Sequence, residues 1–288
     1  ARRLVALAPD SLGAQLVLTR GLLSAGNAEE ALTVLEGAQV RAPDNRNAFA
    51  DKAIALAALG RTEEARAIAD LDALLEVGML PAPEGFERIE DFNAALYRHV
   101  RSHPTLNLQA HSPGCHHGHT SDELLVEPKG PLAVLERQLY AAAETYRQDR
   151  AGSVHPYPAM LPQEWTLSAW TTTLDRQGSQ HAHIHATAHL SGVYYLSLPD
   201  SVADDASQAG WIEFGRAPDQ YQPKDEVRSH EQGRVQHQGE IRTVKPVPGL
   251  LLLFPSYLYH RTIPSDSDQP RITIGFDFRR SDIAAARP

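Results

Sequence analysis

The sequence predicts an α+β chain: a helical repeat segment and two supporting helices, then an all-β sandwich or barrel. Three observations carry this expectation. Residues in the first 75 positions recur at a fixed offset, and two later stretches show amphipathic helical spacing. From Trp165 onward the chain breaks into short segments rich in β-branched, aromatic and leucine residues, punctuated by Gly, Pro and Asp.

The repeat comes first. Pro9-Asp10 recurs as Pro43-Asp44, Gly26 as Gly60, and Glu29-Glu30-Ala31 as Glu63-Glu64-Ala65, each pair 34 positions apart. Apolar and small residues run between them at helical spacing. The pattern resembles the tetratricopeptide repeat, two helices per unit with small residues at their crossing, and it sets a helical segment at 1–77. One unit and part of a second rarely bury their own faces. The expectation is therefore that further repeats precede Ala1 or that the segment docks on the neighbouring domain. Pro81, Pro83 and Gly85 mark a linker.

"EDFNAALYRHVRSHPTL" and "GPLAVLERQLYAAAETYRQDR" read as the two supporting helices, with a loop at about 109–128 between them. The strand candidates are "WTLSAWTTTL", "HLSGVYYLSL", "GWIEF", "GEIRTVKP", "GLLLLFP" and "PRITIGFDF". The polar stretch 216–239 is too long for a hairpin turn and reads as a mobile insertion or lid.

Composition narrows the function classes. The 288 residues are 42% hydrophobic and 22% charged, with net charge −9, which argues against general affinity for nucleic acid or anionic membrane. The longest apolar run, "GLLLLF" at 249–254, is far short of a membrane span. The single cysteine, Cys115, excludes an internal disulfide framework and fits a reducing cytoplasm.

Chemistry concentrates in "QHAHIHATAH" at 180–189. On a regular strand His181, His183 and His185 share a face, because residues two apart point the same way. Two imidazoles on one face suit a transition metal, and a ligand from a distant strand would complete a facial set. His260, in "LLLLFPSYLYHRTIP", is the best third ligand, and Arg271 follows 11 positions later at the head of "RITIGF". Spacing alone leaves a zinc site and a purely structural cluster open. Elsewhere, "HSPGCHHGHT" at 111–120 matches no closed zinc motif and reads by default as a solvated loop, with contact to substrate at the barrel mouth as an alternative. His189, Trp170 and Trp211 read as packed residues, and Arg216 as a surface arginine.

Several ordered blocks resemble the bacterial 2-oxoglutarate- and Fe(II)-dependent oxygenases that are often fused to tetratricopeptide repeats. The blocks are His183-Ile184-His185, Leu190 to Leu196 ("LSGVYYL"), Gly210 to Arg216 ("GWIEFGR"), Pro248 to Pro264, and Arg271 to Asp277 ("RITIGFD"). The resemblance implies a double-stranded β-helix of jelly-roll type with its core at 163–280, inside an oxygenase domain at 84–288 whose helices occupy 84–150. It implies iron held by His183, His185 and His260. It further implies a 2-oxoglutarate carboxylate held by Arg271, with Thr273 and Tyr195 as added donors.

One departure stands out. Related sites place Asp or Glu where this chain has His185. Three neutral imidazoles would leave the ferrous centre formally +2. The alternatives are that water replaces His185, or that His181 takes its place. The implied activity is hydroxylation of an unactivated C–H bond, using O2 and releasing succinate and CO2, on a peptide, protein or small molecule. The repeats suit a peptide partner. A silent metal-binding scaffold, and a three-histidine cupin-like dioxygenase that does not use 2-oxoglutarate, are the competing readings.

Overall fold

A computed structural model describes residues 1–106, 115–221 and 239–281. Helices α1 (Arg2–Leu7), α2 (Leu12–Ser24), α3 (Ala28–Arg41), α4 (Arg46–Ala58), α5 (Thr62–Arg66) and α6 (Leu71–Leu74) form the amino-terminal layer. The 34-residue offset recurs in their caps. Ser11 Oγ accepts from Ala14 N at 3.3 Å and Asn45 Oδ1 from Ala48 N at 3.0 Å. Gly26 (φ 76°) and Gly60 (φ 72°) take the left-handed conformation. The amide after each bonds back across the helix end, Asn27 N to Leu22 O and Arg61 N to Leu56 O, both 2.9 Å.

The remaining elements are β1 (Glu76–Met79), α7 (Ile89–Arg101), β2 (Cys115–Thr120), α8 (Leu132–Asp149), β3 (Trp165–Gln180), β4 (Leu190–Ser197), β5 (Ile212–Phe214), β6 (Arg242–Val244), β7 (Leu250–Pro255), β8 (His260–Thr262) and β9 (Arg271–Arg280). Two antiparallel sheets result, six-stranded β1-β7-β4-β9-β3-β2 and three-stranded β6-β5-β8. Residues of both sheets, Leu190, Phe254, Phe276 and Phe278 among them, are buried with Phe214 in the core. All six strand candidates appear. β1, β2 and β8 were not expected: β1 lies just before the proline linker and β2 within the 109–128 loop. The part of 216–239 read as an insertion lies largely outside the described residues, as do positions 111–114 of the histidine-rich loop. Among the described residues no helix is long and apolar enough to cross a membrane.

Register explains two glycines. Gly275 on β9 faces Trp170 on β3, and a Cβ there would lie 2.9 Å from the indole. Gly192 on β4 lies against Phe276, whose ring would meet a Cβ at 2.2 Å. Both positions give up a side chain to admit a neighbouring aromatic ring.

The helical layer packs on the loop between β7 and β8. Phe49 of α4 stacks on Tyr257 at 5.4 Å, and Tyr257 Oη donates to Ile68 O at 2.7 Å. Tyr146 Oη donates to Leu74 O at 2.7 Å. Tyr259 Oη reaches Asp51 Oδ1 at 3.3 Å, and Arg20 Nε meets Asp51 Oδ2 at 3.4 Å. Asp51 is fully buried. Burial raises its carboxyl to about 6, against the opposing pull of Arg20 and Tyr259.

A carboxyl whose folded pKa exceeds its unfolded value holds its proton more tightly when folded, so its contribution falls as pH rises from the unfolded value toward 6. Removing that charge should therefore help most at neutral pH. Between about pH 4.5 and 7, urea unfolding of Asp51→Asn should gain about 2 kcal/mol relative to the wild type. A difference that does not change with pH would show that Asp51 is not the group responsible.

Candidate metal centre and adjoining cavity

The segment that carries His183 and His185 is not a strand. Between β3 and β4, residues 181–189 run irregularly and touch the small sheet through one antiparallel bridge, His183 with His260. Two 3.1 Å backbone hydrogen bonds make this bridge, and His185 N donates to Ser256 O at 2.8 Å. The regular-strand condition for three histidines on one face is therefore not met. His183 and His185 meet His260 of β8, with nitrogen atoms of the three all within 4.8 Å of one another. Ring centroids are 4.3 Å apart for His183–His260, 5.1 Å for His185–His260 and 5.3 Å for His183–His185. His181 stays outside this group, exposed on the rim with its ring 6.4 Å from His116.

Each Nδ1 is already committed. His183 Nδ1 bonds His181 O at 2.7 Å, His260 Nδ1 bonds Leu258 O at 3.0 Å, and His185 Nδ1 bonds Asp277 Oδ1 at 2.6 Å. Carbonyl and carboxylate oxygens accept, so each Nδ1 carries the proton and each Nε2 keeps its lone pair. Burial, with His185 nearby, lowers His183 to about 4. Burial, then the two neighbouring imidazoles, pushes His260 well below its usual value. Both are neutral at pH 7, the form a metal requires.

Asp277 is the residue that sequence reasoning left without a role. It is almost fully buried on β9, where burial alone would raise its pKa; His185, Ser191 and Arg279 outweigh that and hold it below the usual carboxylate range. Ser191 Oγ lies 2.6 Å from Asp277 Oδ1, and Arg279 Nη2 lies 3.3 Å from Oδ2. A carboxylate therefore stands behind His185, on Nδ1 and away from the free Nε2. The signal was its place opposite Ser191 in the β4–β9 register, which only pairing reveals.

A cavity of about 380 Å³ opens on the three imidazoles and is lined by Trp170, Val193, Phe254, Arg271 and Thr273. Trp170, expected in the core, instead lines this space with its ring 5.5 Å from His185. Arg271 is buried, and its Nε donates to Gly210 O at 3.1 Å. Its Nη1 has no partner of good geometry, nor has the fully buried Tyr195 Oη, although the guanidinium lies 5.1 Å from the Tyr195 ring centre. Burial lowers Arg271 from its usual value, with Tyr195 opposing, and raises Tyr195 to about 12 against the pull of Arg271. A buried guanidinium beside a buried phenol, their mutual contact short of a well-formed hydrogen bond, has the chemistry of a carboxylate receptor. Thr273 pairs with Tyr195 across β4–β9 and lines the same cavity as Arg271. The residues present thus fit iron at one end of the cavity and a dicarboxylate reaching the other.

Other expectations change. Arg216 is not a solvated surface arginine: it pairs with buried Glu213, which also takes Arg261 Nε at 2.6 Å. Trp211 is half-buried, its indole N–H donating to Val202 O at 3.0 Å. The described part of the histidine-rich loop is β2, paired with β3. Among the described residues, the three histidines form the one group placed to hold a metal ion.

Residues 168–277 match the family described as "Putative 2OG-Fe(II) oxygenase", a stretch that includes His183, His185, His260, Tyr195, Arg271 and Thr273. This match supports a 2-oxoglutarate- and Fe(II)-dependent oxygenase, an oxidoreductase with those two cofactors. No curated protein matches the sequence. Among solved structures, a Pseudomonas putida prolyl-4-hydroxylase is similar at 17% identity, covering 74% of this chain and 96% of its own, with TM-score 0.46. HygX from Streptomyces hygroscopicus, with nickel and 2-oxoglutarate bound, is similar at 12% identity, covering 75% and 87%, with TM-score 0.47. A Trichoplax adhaerens prolyl hydroxylase in complex with a hypoxia inducible factor peptide fragment is also similar at 12% identity, covering 80% and 96%, with TM-score 0.47.

Removing a carboxylate that orients a ligating imidazole typically weakens metal binding about 10–100-fold. Asp277→Ala should show a loss of this size in Co(II) or Fe(II) titrations, with Asp277→Asn intermediate because it can still accept from Nδ1. Unchanged affinity in both variants would show that Asp277 does not orient His185.

Proposed function

We propose that the chain is an Fe(II)- and 2-oxoglutarate-dependent dioxygenase that hydroxylates an unactivated C–H bond of a peptide, protein or small molecule, with release of succinate and CO2. In this reading residues 1–77 form a tetratricopeptide-type segment. Residues 84–288 form the oxygenase domain, with helices at 84–150, a jelly-roll core at 163–280 and a cytoplasmic setting. The observation that carries the reading is one cavity lined both by three convergent imidazoles and by buried Arg271.

His183, His185 and His260 hold the metal through Nε2, and Arg271, Thr273 and Tyr195 hold the distal carboxylate of 2-oxoglutarate. When bound, ferrous iron would activate O2, the four-electron oxidant, with 2-oxoglutarate giving up two electrons on conversion to succinate and CO2 and the C–H bond the other two. The planar guanidinium of Arg271 orients the carboxylate through paired N–H donors. Phe254, Val193 and Ile212 line the cavity with apolar surface that limits water. Asp277 compensates electrostatically for the absent acidic ligand. It places a negative charge behind His185, where it makes the imidazole a stronger donor.

Anaerobic addition of Fe(II) and 2-oxoglutarate should give a weak visible charge-transfer band, with succinate release once a primary substrate is present. Arg271→Gln should weaken 2-oxoglutarate binding at least about thirty-fold, the scale of leaving a buried charge partner unpaired, while metal affinity stays unchanged. Binding without succinate for any substrate would favour the scaffold reading. Oxygen uptake that ignores 2-oxoglutarate would favour the cupin-like one.

A further inference from the structure

The six-stranded sheet ends on one side at β1, which pairs with β7 alone. All four residues of β1 are exposed, and Val77 and Met79 are among the large apolar side chains left in solvent. Neighbouring contacts fix the direction in which each residue bonds. Ser256 N donates to His189 O on the β4 side, so alternate residues of β7 serve β4, and Leu251 and Leu253 between them serve β1. Leu251 and Leu253 stand opposite Gly78 and Glu76, and Leu80 N continues the series to Gly249 O at 3.1 Å. Val77 and Met79 therefore turn their N–H and C=O groups outward, and neither makes a further backbone hydrogen bond among the described residues.

An edge of this kind is a template for another strand, and proteins commonly blunt it with charge, proline or a bulge. None of these falls at Val77, Gly78 or Met79. The flanks decide what can pair there. Leu75 N is taken by Leu71 O at 3.3 Å. Pro81 has no N–H, and its carbonyl accepts from Gln138 Nε2 at 2.9 Å.

These flanks leave one register for self-pairing. An antiparallel two-fold centred on Val77 would need the amide of Leu75, and one centred on Met79 would need an amide from Pro81. Centred on Gly78, the two-fold sets Val77 against Met79 of the partner subunit, twice over, and each pair exchanges two hydrogen bonds. Every outward group of the edge is then used, and the two exposed apolar side chains meet. Charge agrees with this register. Glu76 is held by Arg150 at 3.0 Å and falls opposite Leu80 of the partner subunit, so no like charges face each other. A hollow of about 320 Å³ beside β1, between Leu251 and Leu253 and Ala141 and Ala142 of α8, adds apolar surface for a second copy to cover.

We propose that the chain forms a two-fold dimer by antiparallel pairing of β1 with β1 of a second copy, centred on Gly78. The two six-stranded sheets become one continuous sheet. The strand is short, so the dimer is weak and depends on concentration. The proposal does not depend on the oxygenase reading.

Sedimentation velocity of the full chain from about 1 to 500 µM should show monomer giving way to dimer. Met79→Lys and Val77→Lys each put a charge at the edge without touching the bonds to β7. Each should weaken the dimer at least about tenfold while melting as the wild type does. Gly78→Cys gives a covalent readout, since a Cβ at this position meets nothing within 4 Å. Its two copies meet as a non-hydrogen-bonded pair with Cα atoms about 4.5 Å apart, within the span of a disulfide. Mild oxidation should link this variant through position 78, as peptide mapping would read, while Glu76→Cys, set opposite Leu80, stays unlinked. A monomer throughout the range overturns the proposal, as does a dimer that persists in both lysine variants or a Gly78→Cys chain that fails to link.

Discussion

The backbone exchange between His183 and His260 is the interaction on which the rest of the site depends. Two hydrogen bonds of 3.1 Å tie an irregular segment to the short strand β8. They bring together two histidines 77 positions apart in sequence. His185 joins them because its own amide is anchored to Ser256 O. Sheet strands supply the depth behind them: β9 carries Arg271, Thr273, Gly275 and Asp277 at alternate positions, so one strand lines the cavity and buttresses His185 at its far end.

Much of this was legible in the sequence because period-two alternation and Gly/Pro punctuation are local signals. The six expected strands, both supporting helices and the choice of His183, His185 and His260, which the fold clusters, arise from such signals and from the ordered family blocks. What escaped depended on tertiary pairing. β1 is four exposed residues that become a strand only against β7. β2 reads "CHHGHT", with little β propensity, and is held by its register on β3. Trp170 looked like core because nothing local shows that its cross-strand neighbour is a glycine. Asp277 looked like the end of a strand, since its hydrogen bond to His185 spans 92 positions.

A second cavity, a groove of about 640 Å³, shares His183 with the first, and the two differ in kind. The smaller is bounded by the sheets and holds a buried, incompletely satisfied cation. The larger is walled partly by helices outside the two sheets and offers amides and neutralised arginines. Asp51 links these levels. It neutralises Arg20 in the groove wall while its contact with Tyr259 helps fasten the helical layer to the β7–β8 loop, three residues before Thr262. Asp51 thus touches both the groove wall and the seam of the helical layer, where Phe49 and Ile68 also hold Tyr257.

Arg271 carries a consequence for the whole molecule. A guanidinium buried with only an imperfect contact to Tyr195 for its Nη1 costs the folded state free energy, because water serves that group in the unfolded chain. An anion that answers it binds the native form and not the denatured one. Occupancy at a hundredfold excess over Kd would raise the free energy of unfolding by about 2.7 kcal/mol. The folded state would then gain stability as the concentration of a small dicarboxylate rises.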